Sequence, residues 1–181
     1  LELIGDILDI ARIESGHLSL APERVNLRAL LQSVIRVFEG VARQKNLVLS
    51  LQFDAAEGNP DVSIDPLRFK QVLSNLISNA LKFTEQGQVV VKVRLSPTER
   101  DDVLDMHLEV NDSGIGIGPA DLHRLFEPFA QVDNSSRMAR KGAGLGLVIS
   151  RNLCQMMGGN LHMSSQPLSL IHISEPTRLQ L

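Results

Sequence analysis

Residues 103–118 read VLDMHLEVNDSGIGIG. Leu104, Met106, Leu108 and Val110 alternate with Asp105, His107, Glu109 and Asn111, the period-two pattern of a strand with one buried face. That strand runs straight into Asp112-Ser113-Gly114-Ile115-Gly116-Ile117-Gly118. A tight turn explains one or two glycines. Three at alternate positions ask for more, because glycine lets backbone approach a flat ring closely and take φ > 0. Asp112, at the mouth of the turn, can accept a hydrogen bond from an exocyclic amine.

Upstream, Val89–Leu95 alternates as well, and the polar stretch Ser96–Asp102 joins it to the first strand as a hairpin. Before it, Asp65-Pro66 is a helix start, and the spacing predicts a helix over 66–84. Phe69, Val72, Leu73, Leu76, Ile77, Ala80 and Leu81 cover one side of that helix. Arg68, Asn75, Asn79 and Lys82 form a second stripe at i, i+7, i+11 and i+14. Two amides and two cations on one stripe fit a phosphate and its metal, since an amide oxygen ligates Mg²⁺ and Lys is a point charge for phosphate. A solvated helix face would account for the same four residues.

Further upstream, Asn26 is a helix cap for a segment running to about Asn46, with Leu27, Leu30, Leu31, Val34, Ile35, Phe38, Val41 and Ala42 as its apolar stripe. Strands are expected at Leu47–Phe53 and Val62–Ile64, and His17–Val25 reads as extended. Residues 1–16 form an amphipathic helix stopped by Gly16. Leu1 is not methionine and sits inside that pattern, so this helix is expected to continue a longer chain. No signal peptide is recognisable.

Downstream, Leu125-Phe126-Glu127-Pro128-Phe129 precedes a polar stretch to Arg140. Two aromatics ahead of such a stretch suggest an anchored lid, although an ordinary surface loop is also possible. Lys141-Gly142-Ala143-Gly144-Leu145-Gly146-Leu147 then opens a helix that ends at Gly158-Gly159. Glycine inside a helix costs roughly 1 kcal/mol relative to alanine. Three in five residues therefore point to backbone N–H groups presented to an anion at a helix N-terminus. The stretch is neither a Walker A loop nor a dinucleotide fingerprint, and protein-kinase signatures are absent. Asn160–Met163 is a last strand. Helices and paired strands together give an α+β domain with antiparallel pairing.

Composition narrows the field. The chain has 181 residues, 43% of them hydrophobic, enough for a real core. Six Phe with no Trp and no Tyr leave aliphatic side chains to fill it. The charge of −3 argues against nucleic-acid binding through a broad basic patch. No apolar run reaches the roughly 18 residues of a membrane helix. One cysteine, Cys154, excludes a disulfide framework or a cysteine-rich zinc site.

An asparagine-bearing helix, an Asp-x-Gly-x-Gly turn, a Phe-x-x-Phe pair and a second Gly-x-Gly-x-Gly, in this order, resemble the N, G1, F and G2 boxes of the sensor histidine kinase ATP-binding domain. The resemblance spans roughly Leu18–Ser165, and the helix ending in Ile10-Ala11-Arg12-Ile13-Glu14-Ser15-Gly16 looks like the second helix of the family's dimerisation and phosphotransfer domain. It implies a Bergerat-type two-layer sandwich, a mixed and mostly antiparallel sheet packed on helices, preceded by one long N-terminal helix. It further implies that ATP and Mg²⁺ are the cofactors. Asn79 would ligate Mg²⁺, Asn75 would sit near the phosphates and Lys82 would contact them. Asp112 would read adenine, with Gly114 and Gly116 shaping its pocket. Gly142, Gly144, Gly146 and Leu147 would cradle phosphates, and Phe126 and Phe129 would form the F box. A lid cation (Arg137, Arg140 or Lys141) could add charge.

Two departures accompany the resemblance. No His-Glu-x-x-x-Pro H box occurs around His17, His107, His123, His162 or His172, so the phosphoacceptor is expected on a preceding helix. Residues 166–181, QPLSLIHISEPTRLQL, do not fit the family's closing strands. They read as an atypical tail of foreign or frame-shifted origin, and the sheet is expected to lack an edge strand there. The implied organisation is 1–16 as the end of the phosphotransfer domain, 17–165 as the ATP-binding domain and 166–181 as the tail. The implied partners are the phosphoacceptor domain of the same or another kinase and a response-regulator receiver, in a homodimeric parent whose cytoplasmic part this would be, anchored in a membrane. A nucleotide-binding regulatory or dimerisation module without phosphotransfer, and a related ATPase of the same GHKL superfamily, are the alternatives. Asn rather than Glu at position 75 disfavours the ATPase, because an amide cannot deprotonate water.

Overall fold

Asn26 and Asp65 start the two 18-residue helices in the same way. Each holds extended backbone, and its side-chain oxygen accepts from the N–H three residues on, Ala29 for Asn26 and Arg68 for Asp65, both at 3.0 Å. The computed structural model describes residues 2–55, 60–130, 144–166, 169–175 and 177–180. Its elements are α1 (Glu2–Glu14), β1 (Glu23–Asn26), α2 (Leu27–Gln44), β2 (Val48–Ala55), β3 (Asp61–Ile64), α3 (Pro66–Phe83), β4 (Gln88–Pro97), β5 (Val103–Asp112), α4 (Pro119–Leu122), a 3-10 turn (His123–Phe126), α5 (Gly146–Met156), β6 (Asn160–Gln166), β7 (Ser169–Glu175) and β8 (Thr177–Gln180).

The β4–β5 hairpin is the spine of the sheet, with Val91 opposite Val110 and Val89 opposite Asp112. β2 joins the outer edge of β4 in parallel, Val48 opposite Gln88. All other pairings are antiparallel, through β5, β8, β3 and β1 on one path and through β7 to β6 on another. This mixed sheet carries α2, α3 and α5 against its inward face. The layered α+β architecture expected from the sequence is the one observed.

The core is aliphatic, as the lack of Trp and Tyr requires. Leu27, Leu31, Leu73, Leu76, Ile77, Leu81, Leu145 and Leu153 are essentially inaccessible. Truncating one of them to alanine costs about 2–5 kcal/mol through lost transfer energy and a residual cavity. All seven apolar residues expected on α3 are buried. On α2 the expected stripe is buried except for Phe38, half-buried, and Val41, which is 45% exposed.

The C-terminal stretch corrects an expectation. Residues set apart as an atypical tail pair along β5 through β7 and β8, so the edge of β5 is covered, not left open. Ile171 and Ile173 are β-branched, and the stretch has few charges, which suits it to an available sheet edge. Leu179 is buried in the core.

Candidate functional site

α3 carries the asparagine stripe because its other face is fixed by the core. With Leu76, Ile77 and Ala80 buried on the sheet side, Asn75 and Asn79 project from the flank that meets α5. Asn75 Nδ2 donates to Ser150 Oγ of α5 at 2.9 Å, and Asn79 Nδ2 donates to Asn75 Oδ1 at 3.4 Å. Gly146, the first residue of α5, lies so close to Asn75 that an added Cβ would collide with the amide oxygen. Gly146, in the second glycine stretch, is thus packed directly on the asparagine helix.

Gly144 and Gly116 both have φ of +70°. At Gly144 an added Cβ would also meet Ala130 O at 2.8 Å, so the backbone after the Phe-x-x-Phe pair and the backbone entering α5 touch there. Leu147 is half-buried against the core. Gly142 and the lid cations Arg137, Arg140 and Lys141 lie outside the described residues.

The turn after β5 is built from the same helix. Asp112 is 4% exposed, and its Oδ1 accepts from Gly114 N–H at 2.8 Å. An added Cβ on Gly114 would stand 2.5 Å from Phe83 O at the end of α3. Ile115 N–H donates to that same Phe83 carbonyl at 3.4 Å. Ser113 staples the turn to the start of β4, accepting from Gln88 N–H and donating to Gln86 O. The turn thus sets a buried carboxylate beside two closely packed backbones, and a carboxylate oxygen is a hydrogen-bond acceptor.

Lys82, in the last turn of α3, is half-buried, and loss of hydration holds its ammonium pKa below the usual 10.5. Its Nζ lies 4.8 Å from the centre of the Phe83 ring. Lys45 reaches the same end of α3, donating to the carbonyls of Leu81, Lys82 (3.4 Å) and Thr84 (2.8 Å).

The structure treats the two expected phenylalanines differently. Phe126 packs on the core with the Arg151 guanidinium 4.9 Å above its ring, whereas Phe129 is 65% exposed at a φ of +63°. Of this pair only Phe126 packs on the core. Arg68, grouped by spacing with the asparagines, turns instead to Asp9 of α1. Ser150 and Lys45 are the neighbours of this stripe and its helix end that the sequence does not announce. A lone Ser in an apolar helical stripe is the only trace Ser150 leaves, and Lys45 is brought in by tertiary contact alone.

A match to the family described as histidine kinase-, DNA gyrase B-, and HSP90-like ATPase covers residues 64–179. The virulence sensor protein BvgS of Bordetella pertussis is 54% identical over 99% of this chain, which spans 14% of that protein. The sensor histidine kinase GacS of Pseudomonas protegens is 41% identical over 92% of the chain and 18% of its own length. A crystal structure of full-length ShkA in complex with AMPPNP superposes with a TM-score of 0.81 at 28% identity, over 99% of this chain and 36% of that one.

Proposed function

This chain belongs to the histidine kinase-, DNA gyrase B-, and HSP90-like ATPase family, as the ATP-binding catalytic domain of a sensor histidine kinase, and from that premise we propose how its residues serve the reaction. Asp112 accepts from the adenine amino group, with Gly114 and Gly116 forming the wall beside it. Asn75, Asn79 and Lys82 face the phosphates, together with the backbone at Gly142, Gly144, Gly146 and Leu147. Phe126 anchors the covering segment, and Phe129 belongs to that segment. The observation that supports this most is the seating of Gly146 against Asn75, which joins the glycine backbone and the amide stripe in one place.

The donor chemistry fits magnesium. Among the described residues no three His, Cys, Asp or Glu side chains gather into a cage. Mg²⁺ is commonly held by one or two protein oxygens plus substrate phosphates, and the Asn79 amide, with its nitrogen turned to Asn75, has an oxygen to give. The ion would supply neutralisation of phosphate charge. Lys82 adds a cation to the same end, Asn75 is held by Ser150, and Asn75 cannot act as a base toward water. The γ-phosphoryl group passes from ATP to a histidine nitrogen on a separate helix, ADP leaving and the imidazole giving up its proton, with this domain supplying position and charge.

The organisation proposed with this reading is 1–16 as the end of the phosphotransfer helix pair and 17–165 as the catalytic domain, whose sheet the strands within 166–181 extend. The whole protein is proposed to be a homodimer that hands its phosphoryl group to a response-regulator receiver and is anchored in a membrane. Among the described residues no helix is long and apolar enough to cross one.

The test supplies a separate acceptor helix pair and radiolabelled ATP. Label appearing on the acceptor histidine supports the reading. Bound ATP without transfer favours a regulatory module, and rapid phosphate release lost in Asn75→Ala favours an ATPase.

A further inference from the structure

Arg68 shares a stripe with Asn75, Asn79 and Lys82 but is spent elsewhere. It sits seven residues before Asn75, about 10 Å down the helix at 1.5 Å per residue. Its Nη1 donates to Asp9 Oδ2 at 2.9 Å and to Gln71 Oε1 at 2.8 Å, while Gln71 Nε2 donates to the same Asp9 oxygen at 2.8 Å. Three side chains therefore close a ring of hydrogen bonds, with one member on α1 and two on α3. The Arg68 and Asp9 side chains are only 16% and 17% exposed, so salt and water screen this pair less than a surface pair.

A second attachment lies one turn away. Asp65, buried at the start of α3, caps Arg68 N–H with Oδ1 and accepts from Ala21 N–H with Oδ2 at 2.9 Å. The opening of α3 thus holds α1 at Asp9 and the segment that follows α1 at Ala21. Between these points the chain reverses at Gly16, with φ +68°, and Ile10 and Ile13 of α1 pack on the core.

We propose that Asp9, Arg68 and Gln71 are a positioning clasp that sets the angle of α1 on the N-terminal half of α3. The C-terminal half of that same rigid helix carries the stripe assigned above to the phosphates, so the seat of α1 and the seat of the nucleotide are two ends of one rod. Arg68 is a positioning residue and not a phosphate ligand. The second half of this statement rests on the proposed nucleotide site; the clasp itself does not.

Hydrogen–deuterium exchange on the full 181-residue chain without nucleotide tests the clasp, and ATP calorimetry on the same samples tests the site. Arg68→Ala and Asp9→Ala should each speed exchange of the α1 amides about tenfold, as expected for losing one charge-assisted partner. Exchange in α2 and the ATP affinity should stay within about twofold of wild type, since those contacts are independent. The reversed pair, Asp9→Arg with Arg68→Asp, should restore α1 protection, which a merely space-filling role would not allow. Unchanged α1 exchange in Asp9→Ala overturns the clasp, and that variant lies outside the sheet and its helices, so it leaves their packing intact. Lost ATP affinity in Arg68→Ala with α1 still protected returns Arg68 to the nucleotide stripe and also overturns it. A wild-type chain that fails to bind ATP, yet loosens α1 on Arg68→Ala, refutes the nucleotide site and leaves the clasp standing.

Discussion

Asn75 of α3 and Ser150 of α5 are joined by a 2.9 Å hydrogen bond in which the amide donates and the hydroxyl accepts. Ser150 is 2% exposed, so its hydroxyl has no water to fall back on. Ser150→Ala should cost about 1 kcal/mol of stability. By freeing the Asn75 rotamer it should weaken ATP binding several-fold. Thermal unfolding and calorimetry on the same variant check both, and an unchanged affinity would separate Asn75 from the phosphate end.

Asp112→Ala should reduce ATP binding about ten- to a hundredfold, since a buried charged acceptor for the adenine amine is worth about 1.5–3 kcal/mol. The same variant frees Gly114 N–H, so circular dichroism must accompany the titration. Normal ATP affinity would remove Asp112 from the adenine site.

Gly114→Ala is a steric test of the same pocket. Its methyl would stand 2.5 Å from Phe83 O and 2.7 Å from Asp112 Oδ1, both fixed groups. Moving either should cost about 1–3 kcal/mol, as overpacking does. The adenine wall should be displaced, so melting temperature and ATP affinity fall together. Loss of neither would mean that the turn is soft.

The affinity for ATP should depend on pH through Lys82. Burial lowers its pKa, so its neutral form is favoured in the free protein compared with an exposed lysine. A bound phosphate favours the charged form and raises the pKa again. Affinity should therefore be full at neutral pH and fall as pH rises through the depressed value, before 10.5 is reached. Lys82→Arg, whose guanidinium does not titrate there, should flatten the curve. An identical decline in both proteins would assign the effect to another group.

Cys154 is buried on α5, and burial pushes its thiol pKa up to about 12. Thiol reagents need thiolate and access, so labelling of the native chain at pH 8 should be limited by unfolding. Labelling that proceeds at the rate of a free cysteine would show that α5 opens locally.

The sequence made legible what depends on local pattern. The alternation around Leu108 and Val91 announced the hairpin, and Asp65-Pro66 with its apolar stripe announced α3 almost to the residue. Parallel pairing of β2 with β4 was not legible, because Leu49 and Val89 are forty residues apart and neither carries a mark of the other. The same limit applies within the candidate site. Phe126 and Phe129 look equivalent in sequence, and only the packing against α5 and Arg151 distinguishes the buried ring from the exposed one. Helical spacing correctly put Arg68 in line with Asn75 but said nothing of Asp9, which occupies the other end of that line.

Lys45 has an electrostatic consequence for any polyanion near α3. A helix ends in unsatisfied carbonyls that act as roughly half a negative charge, the wrong sign for a neighbour of triphosphate. Bonded to the carbonyls of Leu81, Lys82 and Thr84, the Lys45 ammonium cancels that field where α3 ends. Lys82, leaving the same turn, then presents its positive charge without a backbone dipole subtracting from it, and the anionic repulsion a bare helix terminus would add is removed from within the fold.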